Sequence, residues 1–178
     1  MARYPPYSFI PGHWPHPTRD PAGHSHGEKP QIAEALVLGE WAHCEPYLRG
    51  IELFNAGYYW EAHEAWEGIW KTVDRKGLVG EFLQGLIQLA AVGVKVRQGY
   101  GRAALSLLKQ SSSHLRSVDE QRPEPCVAGL NLFELVRRCE RLTNEVQSLR
   151  GDPTLSVEVI LEPLLLVATN AEQDHEPG

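Results

Sequence analysis

The stretch EFLQGLIQLAAVGVKV, residues 81–96, has the pattern that decides the fold. Its apolar residues fall on most sides of a helix, which is typical of a helix buried at the centre of a domain. We expect this central helix to run from about residue 78 to residue 97. Four polar residues fall on one line of its helical wheel: Glu81, Gln84, Gln88 and Lys95. This line is either the solvated side of the helix or part of a polar site.

Amphipathic segments with helical spacing precede and follow the central helix. They predict a first helix around residues 47–54, a second over 58–72, a fourth over 102–117 and a fifth from residue 131 to residue 151. The sequences GYYWEA (57–62) and GYGRAA (99–104) share Gly, Tyr and Ala at the same offsets, which suggests two stacked helical hairpins. The predicted fold class is therefore all-α, a bundle of about five helices built from packed helical hairpins.

The two ends of the chain differ from this bundle, which we place at residues 46–150. Residues 1–45 are rich in proline and histidine. Prolines exclude a long helix from most of this N-terminal arm, while its aromatic residues predict that part of it lies extended against the bundle. Residues 151–178 are rich in apolar residues up to residue 166, so we expect them to form a tail that docks on the bundle or on a partner chain. Docking on a second copy of the chain would produce a homo-oligomer. The last residues, 172–178, are expected to be disordered.

Composition excludes several classes of function. The net charge is −6 and no basic stripe is visible, so a nucleic-acid partner is not expected. The 3 cysteines form no CxxC pair, which is typical of a reduced, cytoplasmic protein. No apolar run has the length of a signal peptide or an uninterrupted membrane span, so a membrane location is not expected.

The second predicted helix carries the best candidates for chemistry, in the sequence YYWEAHEAWEGIW, residues 58–70. His63 and Glu67 are four residues apart, on the edge of an apolar stripe, and can share one metal ion or one proton. We take His63, Glu64 and Glu67 as candidate catalytic residues, with His63 and Glu67 as candidate metal ligands. The residues expected to position a substrate are Gln84, Gln88, Trp66 and Trp70. The alternative is that Glu67 faces solvent and His63 bonds a backbone carbonyl.

Histidines of the arm supply a weaker metal candidate, centred on His16 and His24, for a divalent ion such as zinc. We also expect the arm to fold over the outer side of the second helix, where Glu61 and Glu64 could meet Arg19 or arm histidines. Sharper metal motifs are incomplete: the HExxH pattern that begins at His63 lacks its second histidine.

The runs YLRGIELFNAGYYWEAHEAWEGIW (47–70) and FLQGLIQLAAVGVKVRQGYGRAALSLL (82–108) closely resemble domain-of-unknown-function family 309, a family of small bacterial and archaeal proteins. The resemblance covers roughly residues 4–120. It implies an all-helical fold of packed hairpins and implies no activity. The polar residues that belong to the family pattern are His63, Glu64, Glu67, Gln84 and Gln88. At residue 95 this chain has a lysine where many relatives have a histidine, so a ligand is not expected there.

Three functional hypotheses follow. The first is an enzyme with a polar His/Glu/Gln site between helices two and three that hydrolyses a small molecule, with or without a metal. The second is a protein-interaction module similar to tetratricopeptide repeats, with Tyr58, Trp60 and Glu61 on an exposed concave face. The third is a polar cluster that only stabilises the bundle.

Overall fold

Five α-helices form the core of the computed structural model, which describes residues 4–28 and 33–167. A short 3₁₀ segment, Leu38–His43, precedes the first of them, and no strand is found within the described ranges. The helices are α1 (Glu45–Asn55), α2 (Tyr59–Trp70), α3 (Leu78–Arg97), α4 (Gly101–Gln121) and α5 (Leu132–Leu142). The all-α fold class is confirmed.

Each helix packs against the next one along the chain, and α3 lies between α2 and α4. Two glycines permit the closest approaches: a Cβ on Gly50 would lie 2.1 Å from the indole nitrogen of Trp66, and one on Gly93 would lie 2.5 Å from the ring of Tyr59. By length and composition α3 could cross a membrane, but 67% of its most apolar window is buried inside the protein. Such burial is typical of a helix at the core of a bundle.

The two hairpins repeat the same turn, as the sequence echo predicts. Gly57 and Gly99 both have positive φ, 85° and 76°, a region that side chains other than glycine rarely adopt. The tyrosines that follow, Tyr58 and Tyr100, have nearly equal backbone angles, with φ −89° and −92° and ψ 65° and 63°. Each tyrosine N–H donates to the carbonyl five residues earlier, at 2.9 Å in both turns. The echo therefore reports a real repeat of local structure.

The bounds of α3 agree with the prediction, whereas the predicted continuation of α5 to residue 151 is wrong. The helix ends at Leu142, and Asn144 and Glu145 then donate to carbonyls three residues back. The Thr143 hydroxyl donates to the Glu140 carbonyl at 2.6 Å, and a side-chain bond of this kind competes with helical hydrogen bonding at the point where the helix ends. Val146, beyond this end, is nevertheless fully buried. The apolar spacing therefore predicted correctly that this residue is buried, but not the conformation of the backbone there.

Both ends of the described chain lie against the bundle and against each other. The Ser8 N–H donates to the Ser156 carbonyl at 2.7 Å, and the indole of Trp14 donates to the Pro153 carbonyl at 3.0 Å. The Asn55 side chain makes two hydrogen bonds with the backbone of Leu164, at 2.7 and 2.9 Å. The predicted disorder of residues 172–178 lies outside the described residues.

Candidate functional site

The polar edge of α2 brings three candidate ligands together. One ligand atom each from His63, Glu64 and Glu67 lies within 4.8 Å of the others. Helix geometry brings the three side chains together, since Glu67 follows His63 by four residues and Glu64 by three, and both spacings make neighbours on a helix surface. His63 and Glu67 are half-buried and Glu64 is exposed, so the cluster stands at the surface of the bundle with access from solvent.

The cluster lies in a cleft of about 570 Å³ between α2 and the arm. Phe9, Pro11, His16 and Arg19 of the arm form one side of this cleft, and His63, Glu67 and Lys71 are among the residues on the other. The position differs from the predicted site between helices two and three, because the arm covers α2 on the side where the three ligands stand.

Aromatic rings form the inner wall of the cleft and hold the imidazole of His63. The ring of Trp60 stacks on that imidazole with centroids 5.8 Å apart and planes 12° apart. Phe9 meets Trp60 edge-on at 4.9 Å. Among the described residues no hydrogen-bond partner of the His63 ring is found, so within that part of the chain the stack on Trp60 is what orients the ring.

Two cations accompany the three ligands. Lys71 Nζ donates to Glu67 Oε2 at 2.8 Å, an i,i+4 pair whose side chains are 56% and 32% exposed. Exposed pairs of this kind contribute little to stability, and the second carboxylate oxygen of Glu67 is not used by this pair. Arg19 lines the same cleft. The site therefore combines potential ligands for a cation with side chains that attract an anion.

The arm histidines do not form a ligand set of their own. His16 reaches the cleft, but its Nδ1 accepts from the N–H groups of Thr18 and Arg19, both at 3.4 Å, which places the ring proton on Nε2. His24 lies elsewhere: its Nε2 is 3.3 Å from Glu61 Oε1, with both side chains more than nine-tenths buried. Both rings thus serve to hold the arm, and the expected contact between an arm histidine and Glu61 is confirmed.

The residues predicted to position a substrate do not line the cleft. Gln88 donates to Gln110 of α4 at 3.3 Å, and Glu81, on the same line of α3, lies 3.6 Å from His114 of α4. This line therefore lies beside α4, and Gln84, which shares it, is half-buried. Trp66 is fully buried and donates to the Tyr47 carbonyl, and Trp70 packs under the guanidinium of Arg75.

Sequence reasoning expected Arg19 beside the carboxylates of α2, but it did not place Phe9, Trp60 and Lys71 at this site. Two of them carried a signal in their spacing. Trp60 is three residues before His63 and Lys71 is four residues after Glu67, and such pairs are neighbours on a helix surface. The positions of Phe9 and Arg19 depend on how the arm folds back, which no local spacing encodes.

The face required by the tetratricopeptide-like hypothesis is covered by the arm. Tyr58 is 8% exposed, stacks on Tyr4 and donates to the Pro5 carbonyl at 2.9 Å. Glu61 accepts from the Phe9 N–H at 2.9 Å. The segment that occupies this face is thus the chain's own arm.

Comparison with known families gives one match. Residues 47–107 match the model of the family described as Domain of unknown function (DUF309), which confirms the resemblance predicted from the sequence. The matched region covers α1 from residue 47 onward, α2, α3 and the start of α4. It includes His63, Glu64 and Glu67, whereas the arm lies outside it. No protein of curated function matches the chain.

Proposed function

We propose that this chain, which carries a DUF309 region over residues 47–107, binds a divalent cation at His63, Glu64 and Glu67 and uses it to hydrolyse a small molecule. The observation that carries the proposal is the convergence of three ligand atoms within 4.8 Å. One imidazole and two carboxylates form a donor set that suits zinc. Catalytic zinc sites keep three protein ligands and leave one position open for water, which the metal acidifies into a nucleophile.

The cleft favours an anionic substrate. Arg19 and Lys71 line it together with the ligands, and Trp60 and Phe9 offer aromatic surface. A cationic side chain beside a metal stabilises both a bound phosphate or carboxylate and the charge that develops during hydrolysis. The substrate class is therefore a small phosphate or carboxylate ester with an apolar or planar group.

Metal binding is tested first, by elemental analysis and by calorimetric titration with Zn²⁺. We expect one ion per chain in the wild type and at least a tenfold loss of affinity in His63→Ala and in Glu67→Gln. The matched control is His114→Ala, since His114 is a partly exposed histidine that pairs with a single carboxylate, Glu81, at 3.6 Å. Equal affinity in the wild type and in His63→Ala would contradict the site.

Hydrolysis is tested with a panel of chromogenic phosphate and carboxylate esters, with and without added metal. We expect turnover that depends on the metal, is lost in His63→Ala and is kept in His114→Ala. If the protein binds Zn²⁺ through His63 but hydrolyses no ester of either class, the hydrolase proposal is refuted and the chain is a metal-binding protein.

The purely structural hypothesis fits these residues poorly. The His63 ring has no hydrogen-bond partner among the described residues, and the Glu67–Lys71 pair is exposed. Their removal leaves no buried group unsatisfied, so we expect His63→Ala and Glu67→Gln to change the free energy of unfolding by less than about 1 kcal/mol.

For its cellular setting, we propose a cytoplasmic protein that forms a homo-oligomer through its tail. Val159, Leu165 and Val167 are 59%, 71% and 50% exposed, although the neighbouring Leu161 and Leu164 are buried. The test is light scattering after size exclusion. We expect Leu165→Lys to give a monomer, while Phe133→Lys, at a 57% exposed position on α5, keeps the wild-type mass. A monomeric wild type would refute the oligomer.

A further inference from the structure

Where the arm, α2, α3 and the tail come together, four buried polar atoms have no hydrogen-bond partner within residues 4–28 and 33–167. They are Ser8 Oγ, Glu61 Oε2, and Nε and Nη1 of Arg97. Ser8 and Arg97 are fully buried, and the side chain of Glu61 is 9% exposed. Buried polar groups are almost always satisfied by protein or by ordered water, so several such atoms in one place require an explanation.

Contacts around these atoms show that they share one junction. Ser8 is adjacent to Phe9, whose N–H donates to Glu61 Oε1 at 2.9 Å, and the Ser8 N–H donates to the Ser156 carbonyl at 2.7 Å. Arg97 Nη2 donates to the carbonyls of Asp152 and Leu155 at 3.0 and 2.5 Å. The junction therefore joins one residue of the arm, one of α2, one of α3 and the segment 152–156 of the tail.

The charges at this junction favour a neutral occupant. Burial lowers the pKa of Arg97, while the carboxylates of Glu158 and Glu61 act in the opposite direction. Glu158 Oε2 lies 3.8 Å from Arg97 Nε, too far for a hydrogen bond. An added anion would meet Glu61 and Glu158, and an added cation would meet the guanidinium. Nε and Nη1 of Arg97 need acceptors, and Glu61 Oε2 needs a donor. Water can supply both, because each molecule donates and accepts hydrogen bonds.

We propose that Ser8, Glu61 and Arg97 form a buried water-binding site that fastens the arm and the tail to the helices. Water accepts from Arg97 and donates to Glu61 Oε2, and the Ser8 hydroxyl completes the network in either role. The site is separate from the metal cluster and does not depend on the proposed function. Glu61 is also the anchor of Phe9, so the same network positions the aromatic ring that packs on Trp60 in the cleft.

The direct test is a high-resolution crystal structure of the full chain, together with water-to-amide nuclear Overhauser effects in solution. We expect one or more ordered waters within hydrogen-bond distance of Glu61 Oε2 and Arg97, and long-lived water contacts at the amides of Ser8 and Phe9. A direct hydrogen bond between Glu61 Oε2 and Arg97 with no water present would overturn the proposal.

A double-mutant cycle tests the network without a crystal. The variants are Ser8→Ala, Arg97→Met and their combination, because each removes hydrogen-bonding groups while leaving most of the buried volume filled. If shared water links the two residues, the combined change in the unfolding equilibrium constant will differ from the product of the single changes by at least about threefold. Independent, multiplicative effects would overturn the link. The control is Ser106→Ala, at a serine on α4 whose hydroxyl accepts from Gln110 at 3.3 Å, and its effect should combine multiplicatively with that of Arg97→Met.

Discussion

At the scale of single residues, the contact between Gly50 and Trp66 fixes how closely α1 approaches α2. A methyl group at Gly50 would lie 2.1 Å from the indole nitrogen of a fully buried tryptophan, so the ring must move within a packed core. We expect Gly50→Ala to lower the free energy of unfolding by about 1–3 kcal/mol, measured by urea denaturation.

Gly68→Ala is the control for this substitution, since it also places alanine within a helix. Among the described residues, the new methyl group there would meet the Ala33 side chain alone, at an ordinary 3.6 Å. Alanine has the higher helix propensity, so this variant should be more stable by roughly 0.5–1 kcal/mol. Destabilisation of both variants by the same amount would contradict the role of the Trp66 contact.

Burial predicts a difference in reactivity between Cys126, which is half-buried, and Cys139, which is buried. Removal from water raises the pKa of Cys139 from its ordinary value of 9.0 to about 12. Its thiolate fraction near neutral pH is then about a thousandfold below that of an ordinary thiol, and only the thiolate is reactive. We expect iodoacetamide to label the half-buried Cys126 first in the folded protein, and Cys139 only after unfolding. Labelling of Cys139 at the rate of Cys126 would contradict its burial.

The same burial predicts a loss of stability at high pH. The unfolded chain releases the Cys139 proton from about pH 9, while the folded chain retains it up to about pH 12. The contribution of this raised pKa is complete below pH 9 and decreases as the pH rises through this window. Cys139→Ala should therefore show a weaker decline in unfolding free energy between pH 9 and 11 than the wild type does.

At the scale of elements, the repeated turns before α2 and α4 differ in what surrounds them. Gly57 and Gly99 both have positive φ, so alanine at either position is strained by about 1–2 kcal/mol. A methyl group at Gly57 would also lie 2.7 Å from the Glu158 carbonyl oxygen of the tail, whereas one at Gly99 would have no atom of the described residues within 4 Å. We expect Gly57→Ala to be the more destabilising variant in urea denaturation, and equal losses would show that the tail contributes nothing at this turn.

Helix positions were predictable because apolar spacing and glycine turns act locally. The α3 bounds and the repeated Gly-Tyr turn follow from such signals. The direction in which the polar line of α3 faces could not be predicted in this way. Gln88 and Glu81 come to lie beside α4 only when α3 and α4 pack together. The convergence of His63, Glu64 and Glu67 lies within one helix and could be predicted, while the arm's side of the cleft depends on contacts between residues about 50 positions apart, such as Phe9 with Glu61.

At the scale of the whole molecule, the tail is bound to the bundle through a side chain of α2. The hydroxyl of Tyr59 accepts from the backbone N–H groups of Ile160 and Leu161, both at 2.8 Å. Burial raises the pKa of Tyr59, so its hydroxyl stays neutral well above neutral pH. One fully buried side chain on α2 thus satisfies two amides about 100 residues away along the chain.

Tyr59→Phe tests whether the tail is an integral part of the fold. The substitution leaves two amides without their acceptor. The cost is roughly 1–3 kcal/mol for the buried amide of Leu161 and less for that of the half-buried Ile160. Hydrogen exchange should show that the amides of Ile160 and Leu161 lose protection, while amides in the centre of α3 change only by the loss of global stability. Tyr100→Phe, at a 58% exposed position, is the control and should leave both regions unchanged. If Ile160 and Leu161 exchange at the rate of unstructured amides already in the wild type, the tail does not belong to the cooperative unit, and Gly57→Ala should then cost no more than Gly99→Ala.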